Sequence, residues 1–168
     1  MDNSIKQTCP RTGCNTRKIV TLVIFIAIPL IVGAVSALLT RAAMASFNSM
    51  SKPPLAPPAW LFPVAWTILY ILMGIASFLI FRSSHSASRM GLCIYFVQLV
   101  FNFVWSLIFF RLNAYVFAAV WLAVLLIMVI MLIINTSKYS KAAMFMLIPY
   151  AAWCYFAMYL NVGIAILN

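Results

Sequence analysis

The sequence predicts an all-α membrane protein, a bundle of five transmembrane helices, and three observations predict it. First, 67% of the 168 residues are hydrophobic and 7% are charged, against about 45–50% and about 25% in soluble domains. Second, the apolar residues gather into five uncharged runs, each near the roughly 20 residues a helix needs to cross the hydrocarbon core. Third, those runs take up most of the chain, and the short connections leave no room for a soluble domain. The expected organisation is an N-terminal cytoplasmic tail over residues 1–18 and one five-helix domain over residues 19–168.

The first helix is expected over about residues 19–39, where an apolar run from Ile19 to Leu39 is bounded by Arg17-Lys18 and by Arg41. A basic start and the small residues Ala43-Met44-Ala45 also suit a signal peptide. The run, however, exceeds the about 7–15 apolar residues of such peptides, and Arg41 interrupts the approach to the small residues, so a membrane span is the reading taken. The second helix, about 60–81, follows the stretch from Lys52 to Pro58, whose prolines fix φ and favour an extended path. It stops at Arg82. The third, about 90–110, lies between Arg89 and Arg111, the fourth covers about 114–134, and the fifth runs from about 142 to 166. Lys6, Arg11, Arg17, Lys18, Arg82, Arg89, Lys138 and Lys141 fall on one side of this arrangement. Only Arg41, Lys52 and Arg111 fall on the other. The positive-inside rule then puts the N-terminus in the cytoplasm and the C-terminus outside.

The charge balance excludes reaction classes. Eleven Lys and Arg face a single acid, giving a formal net charge of +10, and that acid, Asp2, lies in the tail. Paired-carboxylate hydrolysis, carboxylate-bound metals and carboxylate proton relays all need acids inside the fold. One histidine, His85, leaves no scope for a multi-histidine metal site; its Ser-rich loop reads as solvated. No catalytic or metal residue is assigned. Cys9 and Cys14, without a companion histidine, read as reduced thiols of the tail, and Cys93 and Cys154 as packing residues inside helices.

The informative residues within the helices are amides, prolines and aromatics. Gln98, Asn102, Trp105 and Phe109 in the third helix share one face. An amide facing lipid is costly, so that face points inward. Two readings stand equal: an interhelical hydrogen bond that holds the bundle, or a ligand contact. Pro149, Trp153, Ala157 and Asn161 recur at intervals of four in the fifth helix, and Trp66, Tyr70, Gly74 and Ser77 share a face of the second. Trp60 reads as a headgroup-belt residue, whereas Trp66, Trp105 and Trp153 lie deeper than a belt requires. Three inward aromatic faces and one amide describe a cavity for a flat, largely apolar ligand. The proline-rich loop is a lid over that cavity or a plain spacer, with Lys52 and Arg41 on its side as partners for a ligand carboxylate. Gly33 and Ala37 form a small-xxx-small pair suited to close helix packing, within or between protomers.

Three blocks carry a resemblance: Lys52-Pro53 through Pro57-Pro58-Ala-Trp60-Leu-Phe62-Pro63-Val-Ala-Trp66 to Tyr70 and Gly74; Asn102-Phe-Val-Trp105-Ser106 to Phe110; and Pro149-Tyr150-Ala-Ala-Trp153 to Phe156-Ala157-Met-Tyr-Leu160-Asn161. In order and spacing they resemble the translocator protein family, also called TspO/MBR or tryptophan-rich sensory proteins. The resemblance implies a five-helix membrane receptor or transporter-like protein. It implies binding of tetrapyrroles, protoporphyrin IX or haem, as ligands with no cofactor required, and in some members binding of sterols and of isoquinoline or benzodiazepine drugs. It assigns Trp66, Asn102, Trp105, Trp153, Ala157 and Leu160 to the ligand site, to which the inward helix faces add Tyr70 and Pro149, with Pro57, Pro58 and Leu55 in the loop above and Phe117 where some members carry a pocket tryptophan. It further implies a homodimer in the lipid membrane, with no nucleic-acid partner. Leu55 stands where many members have tryptophan, which speaks against the light-dependent porphyrin degradation reported for certain bacterial members, and the sterol-recognition segment of animal members is absent. The tail and these departures favour a bacterial plasma membrane over a mitochondrial outer membrane. A structural membrane protein without ligand is the remaining alternative.

Overall fold

In hydrocarbon every peptide group must find its partner within the chain, and each of the five apolar runs does so as a helix. The computed structural model describes residues 11–49 and 51–168, with side chains over 15–41 and 51–168. Its elements are α1 (Arg11–Ser49), α2 (Leu61–Phe81), α3 (Ser88–Ser106) extended by a π-helical turn (Leu107–Arg111), α4 (Tyr115–Ser137) and α5 (Lys141–Leu167). All five are long and apolar enough to span a membrane, and no strand occurs among the described residues. The protein is an integral multi-pass membrane protein.

Four helices begin and end within about three residues of their expected bounds, whereas α1 runs well past them at both ends. Its membrane part, Asn15–Arg41, is flanked by helical residues on each side, so the expected tail is helical from Arg11 onward. Charge ends a membrane span; it does not end a helix, because Arg and Lys are good helix formers. Asp2, Lys6, Cys9 and the side chains of Arg11 and Cys14 lie outside the described residues, as do those of Ala43, Met44 and Ala45. Local chemistry fixes the other starts. Ser140 caps α5, its hydroxyl accepting the Ala143 N–H at 3.3 Å. Asn113 turns the chain between α3 and α4 with φ 51, a left-handed conformation that Asn tolerates.

The helices are arranged so that α1 packs on α2, α2 on α5, α5 on α4 and α4 on α3, while α3 and its π turn return to α1. The α1–α2 seam is tight at Gly74, where a Cβ would stand 2.5 Å from the Ile26 Cα, and Gly33 of α1 lies against the Tyr70 ring. The small residue of the expected Gly33–Ala37 pair therefore serves packing within one chain. The core, centred on Met73, Tyr95, Leu125, Val129, Leu147 and Tyr150, belongs to α2–α5. Only 11% of the most apolar window of α1 is buried, against 28–44% for the other four helices, which makes α1 an outer wall.

The two ends of the bundle differ. At the end with Arg82, Arg89, Lys138 and Lys141, all exposed, the His85 ring stacks on Tyr139 at 5.4 Å and its Nδ1 accepts the Ala87 N–H at 3.1 Å. His85 is thus exposed yet helps to start α3. At the opposite end the α1–α2 loop is strapped onto α5. Pro53 sits on Gly163, 2.7 Å from where a Cβ would be, the Tyr159 hydroxyl donates to the Pro54 carbonyl at 2.6 Å, and the Asn168 amide pairs with both backbone groups of Ser51 at 3.2 and 3.0 Å. Of the two cysteines expected to pack, Cys154 is buried but Cys93 is exposed. A thiol is apolar enough to face lipid.

Candidate functional site

The half of the bundle beneath the strapped loop encloses a cavity of about 470 Å³, within the about 300–1,000 Å³ of ligand pockets. The first half of α2 supplies one wall: Phe62, Pro63, Trp66, Thr67 and Tyr70 succeed one another at helical spacing, and Trp66 stacks on Tyr70 at 5.4 Å. The end of α3 supplies Asn102, Trp105 and Ser106, and the wider π turn brings both Phe109 and Phe110 round to the same space. Such turns recur at functional sites. On α5, Trp153 meets Phe62 edge to face at 6.1 Å, while Ala157, Leu160, Asn161 and Ile164 continue the lining. The α1 wall is made of small residues, Gly33, Ala34 and Ala37, with the hydroxyls of Ser36 and Thr40 and the Arg41 side chain beside them. No residue of α4 lines the cavity.

Amides fasten this site to the core. Tyr70 donates to Asn102 Oδ1 at 3.2 Å, Asn102 Nδ2 donates to the Tyr150 hydroxyl at 2.9 Å, and Tyr150 donates to Gln98 Oε1 at 2.8 Å. That chain joins α2, α3 and α5. With its amide oriented to satisfy both ends, Asn161 donates to the Tyr115 carbonyl at 2.8 Å and accepts from Trp105 Nε1 and the Ala119 N–H, each at 3.2 Å. The Trp105 indole is thereby held in place. The two readings of the Gln98–Asn102 face are thus divided between residues: Gln98 is a buried hydrogen-bond partner, and Asn102 both braces the bundle and lines the cavity.

Of the residues expected at a ligand site, Trp66, Tyr70, Asn102, Trp105, Trp153, Ala157 and Leu160, together with Arg41, surround this one cavity. The others lie elsewhere. Leu55 is 84% exposed at φ 67 on the loop tip; Lys52, Pro57 and Pro58 are loop residues outside the lining. Pro149 is exposed on the outer side of α5. Phe117 is exposed on α4, 6.0 Å from Trp121, whose own indole stacks on Phe101 and donates to its carbonyl at 2.9 Å. Conversely, sequence reasoning passed over Phe62, Ser106, Phe110 and the α1 wall apart from Arg41. Ser36 and Thr40, two hydroxyls one turn apart in an otherwise apolar run, were the available signal.

A five-helix membrane bundle with an aromatic-walled cavity at one end defines the class as a polytopic membrane protein with an internal chamber. Residues 25–167 match the model of the TspO/MBR family, and the chain belongs to that family. It is 33% identical to the tryptophan-rich protein TspO of Chlorobaculum tepidum over 155 residues, which cover 90% of this chain and 98% of that protein. It is also 36% identical to the translocator protein homolog of Schizosaccharomyces pombe, covering 73% and 77%, and 33% identical to the translocator protein of Ovis aries, covering 68% and 70%. Membership supports a receptor- or transporter-like role in the membrane.

Proposed function

We propose that the protein is a non-enzymatic receptor or carrier that binds tetrapyrroles, protoporphyrin IX or haem, in this cavity, and that flat apolar molecules of the sterol or isoquinoline and benzodiazepine type are alternative occupants. The observation that carries the reading is the lining itself: three indoles, Trp66, Trp105 and Trp153, around about 470 Å³, with Arg41 as the one cationic side chain among the described residues of the lining. Indole faces stack on a macrocycle, the Asn102 amide offers a neutral hydrogen bond, and Arg41 meets a propionate with a charge-assisted one. Lys52 stays outside the lining, so the carboxylate role falls to Arg41.

Titrating protoporphyrin IX against tryptophan fluorescence in the wild type and in Trp153→Ala tests this. The variant is expected to bind about five- to tenfold more weakly, the magnitude of a lost aromatic contact plus its buried area. Unchanged affinity would remove Trp153 from the site. The same reading places the protein as a homodimer in a bacterial plasma membrane with its N-terminus in the cytoplasm. With the four native cysteines replaced by serine, a cysteine at the exposed loop residue Ser84 should then react with an impermeant maleimide only from the cytoplasmic side, and cross-linking in native membranes should give a band of twice the monomer mass.

A further inference from the structure

Counting hydroxyl protons around the cavity gives an uneven result. Among the described residues five hydroxyl side chains line it: Ser36, Thr40, Thr67, Tyr70 and Ser106. A hydroxyl has one proton to donate and two lone pairs to accept with. Thr40 donates to the Ser36 carbonyl at 2.9 Å, Thr67 to the Pro63 carbonyl at 2.8 Å, Tyr70 to Asn102 Oδ1 at 3.2 Å and Ser106 to the Phe103 carbonyl at 2.7 Å. The Ser36 and Ser106 hydroxyls are also bonded to each other. Since Ser106 has already given its proton to Phe103, Ser36 is the donor in that pair. Every hydroxyl proton on the wall is therefore engaged inside the protein, and what these oxygens offer the cavity is lone pairs.

We infer that Ser36 and Thr40, one turn apart on α1 with 8% and 5% exposure, form an acceptor subsite that selects a ligand carrying a hydroxyl or N–H donor over the same molecule without one. The inference rests on the cavity being a binding site, as proposed above, and adds the chemistry of one of its walls. Small neighbours favour it: Gly33, Ala34 and Ala37 let a flat ring approach the α1 backbone closely enough for its substituent to reach both oxygens. A buried acceptor left unpaired by a bound ligand is costly, so discrimination comes as much from rejecting an ether as from binding an alcohol. Arg41, on the same side of the cavity, is a donor, so a carboxylate and an alcohol would be sorted to neighbouring places.

The test uses a matched pair of neutral probes, 9-anthracenemethanol and its methyl ether, read by energy transfer from the cavity tryptophans to anthracene in detergent-solubilised full-length protein. The alcohol is expected to bind about three- to tenfold more tightly than the ether, the effect of one net hydrogen bond. In the double variant Ser36→Ala, Thr40→Val the ratio is expected to fall to about one while both probes still bind. Equal affinities in the wild type would overturn the acceptor subsite and leave the cavity assignment standing; so would a preference that survives the double variant. Failure of both probes to bind, together with failure of protoporphyrin IX, would overturn the cavity reading and this inference with it.

Discussion

Asn102 is 2% exposed and yet lines the cavity, because the phenols of Tyr70 and Tyr150 grip its amide from two helices. Replacing it with leucine leaves the Tyr70 hydroxyl without its acceptor, and Asn102→Leu is expected to destabilise the folded protein by about 1–2 kcal/mol. Tyr95 gives the contrasting case. Its ring is fully buried and its hydroxyl makes no close hydrogen bond, with only the Ser77 hydroxyl beside it at longer range, so Tyr95→Phe removes a poorly satisfied buried polar group and is expected to change stability by less than about 1 kcal/mol. Thermal unfolding of both variants in the same detergent checks the pair, and a loss in Tyr95→Phe as large as in Asn102→Leu would contradict the bonding described. Spacing made the α2 and α3 residues of the site legible in the sequence because each group spans only two or three turns. It misplaced Pro149 because an interval of four overshoots a helical turn. Over the twelve residues from Pro149 to Asn161 the excess accumulates to about 120°, enough to carry Pro149 to the lipid side.

At the scale of the elements, hydropathy located all five spans but said nothing about two features that shape the site. One is the π turn at Leu107–Arg111, which departs from the helical register that periodicity assumes. The other is the strap between the α1–α2 loop and α5. The proline-rich composition indicated a rigid loop and left lid and spacer equal; its docking depends on Gly163, and a lone glycine in a helix carries no such message. Gly163→Val would drive a side chain into Pro53, which lies where only a hydrogen fits. The loop is then expected to lift while the helices stay packed. Hydrogen exchange reads this directly: the amide of Ser51, bonded to Asn168 Oδ1 at 3.2 Å, should exchange about tenfold or more faster, with those of α4 unchanged. Equal exchange in both proteins would mean that Tyr159 and Asn168 hold the loop without Gly163.

For the molecule as a whole, the near absence of acids is the property most visible in the sequence and the one that governs its response to pH. Among the described residues no Asp or Glu occurs, and the single His85 lies in the loop at the end remote from the cavity. With nothing in the cavity that titrates between about pH 5 and 8, a neutral ligand such as 9-anthracenemethanol is expected to bind with the same affinity across that range. A change of more than about threefold in the energy-transfer titration would contradict it. Outside the spans, burial pushes the Tyr139 phenol above its usual 10.0. Its folded form thus holds the proton more tightly than the unfolded chain, and that contribution to stability is complete below pH 10 and declines only above it. The five-helix count, the inward aromatic faces and the family were all legible from the sequence. The α1 wall was not, because a helix with so little of its surface buried shows no inward stripe to read.

The strap also sets an order of events. Its bonds join residues 117 and 105 positions apart in the chain, so the loop leaves the membrane-insertion machinery long before its anchor on α5 is made. Contacts between such distant residues form late, after the intervening segments have paired. The chamber is therefore completed only when α5 arrives, and a nascent chain carrying the first four helices has the Trp66 and Trp105 walls but neither Trp153 nor the strap.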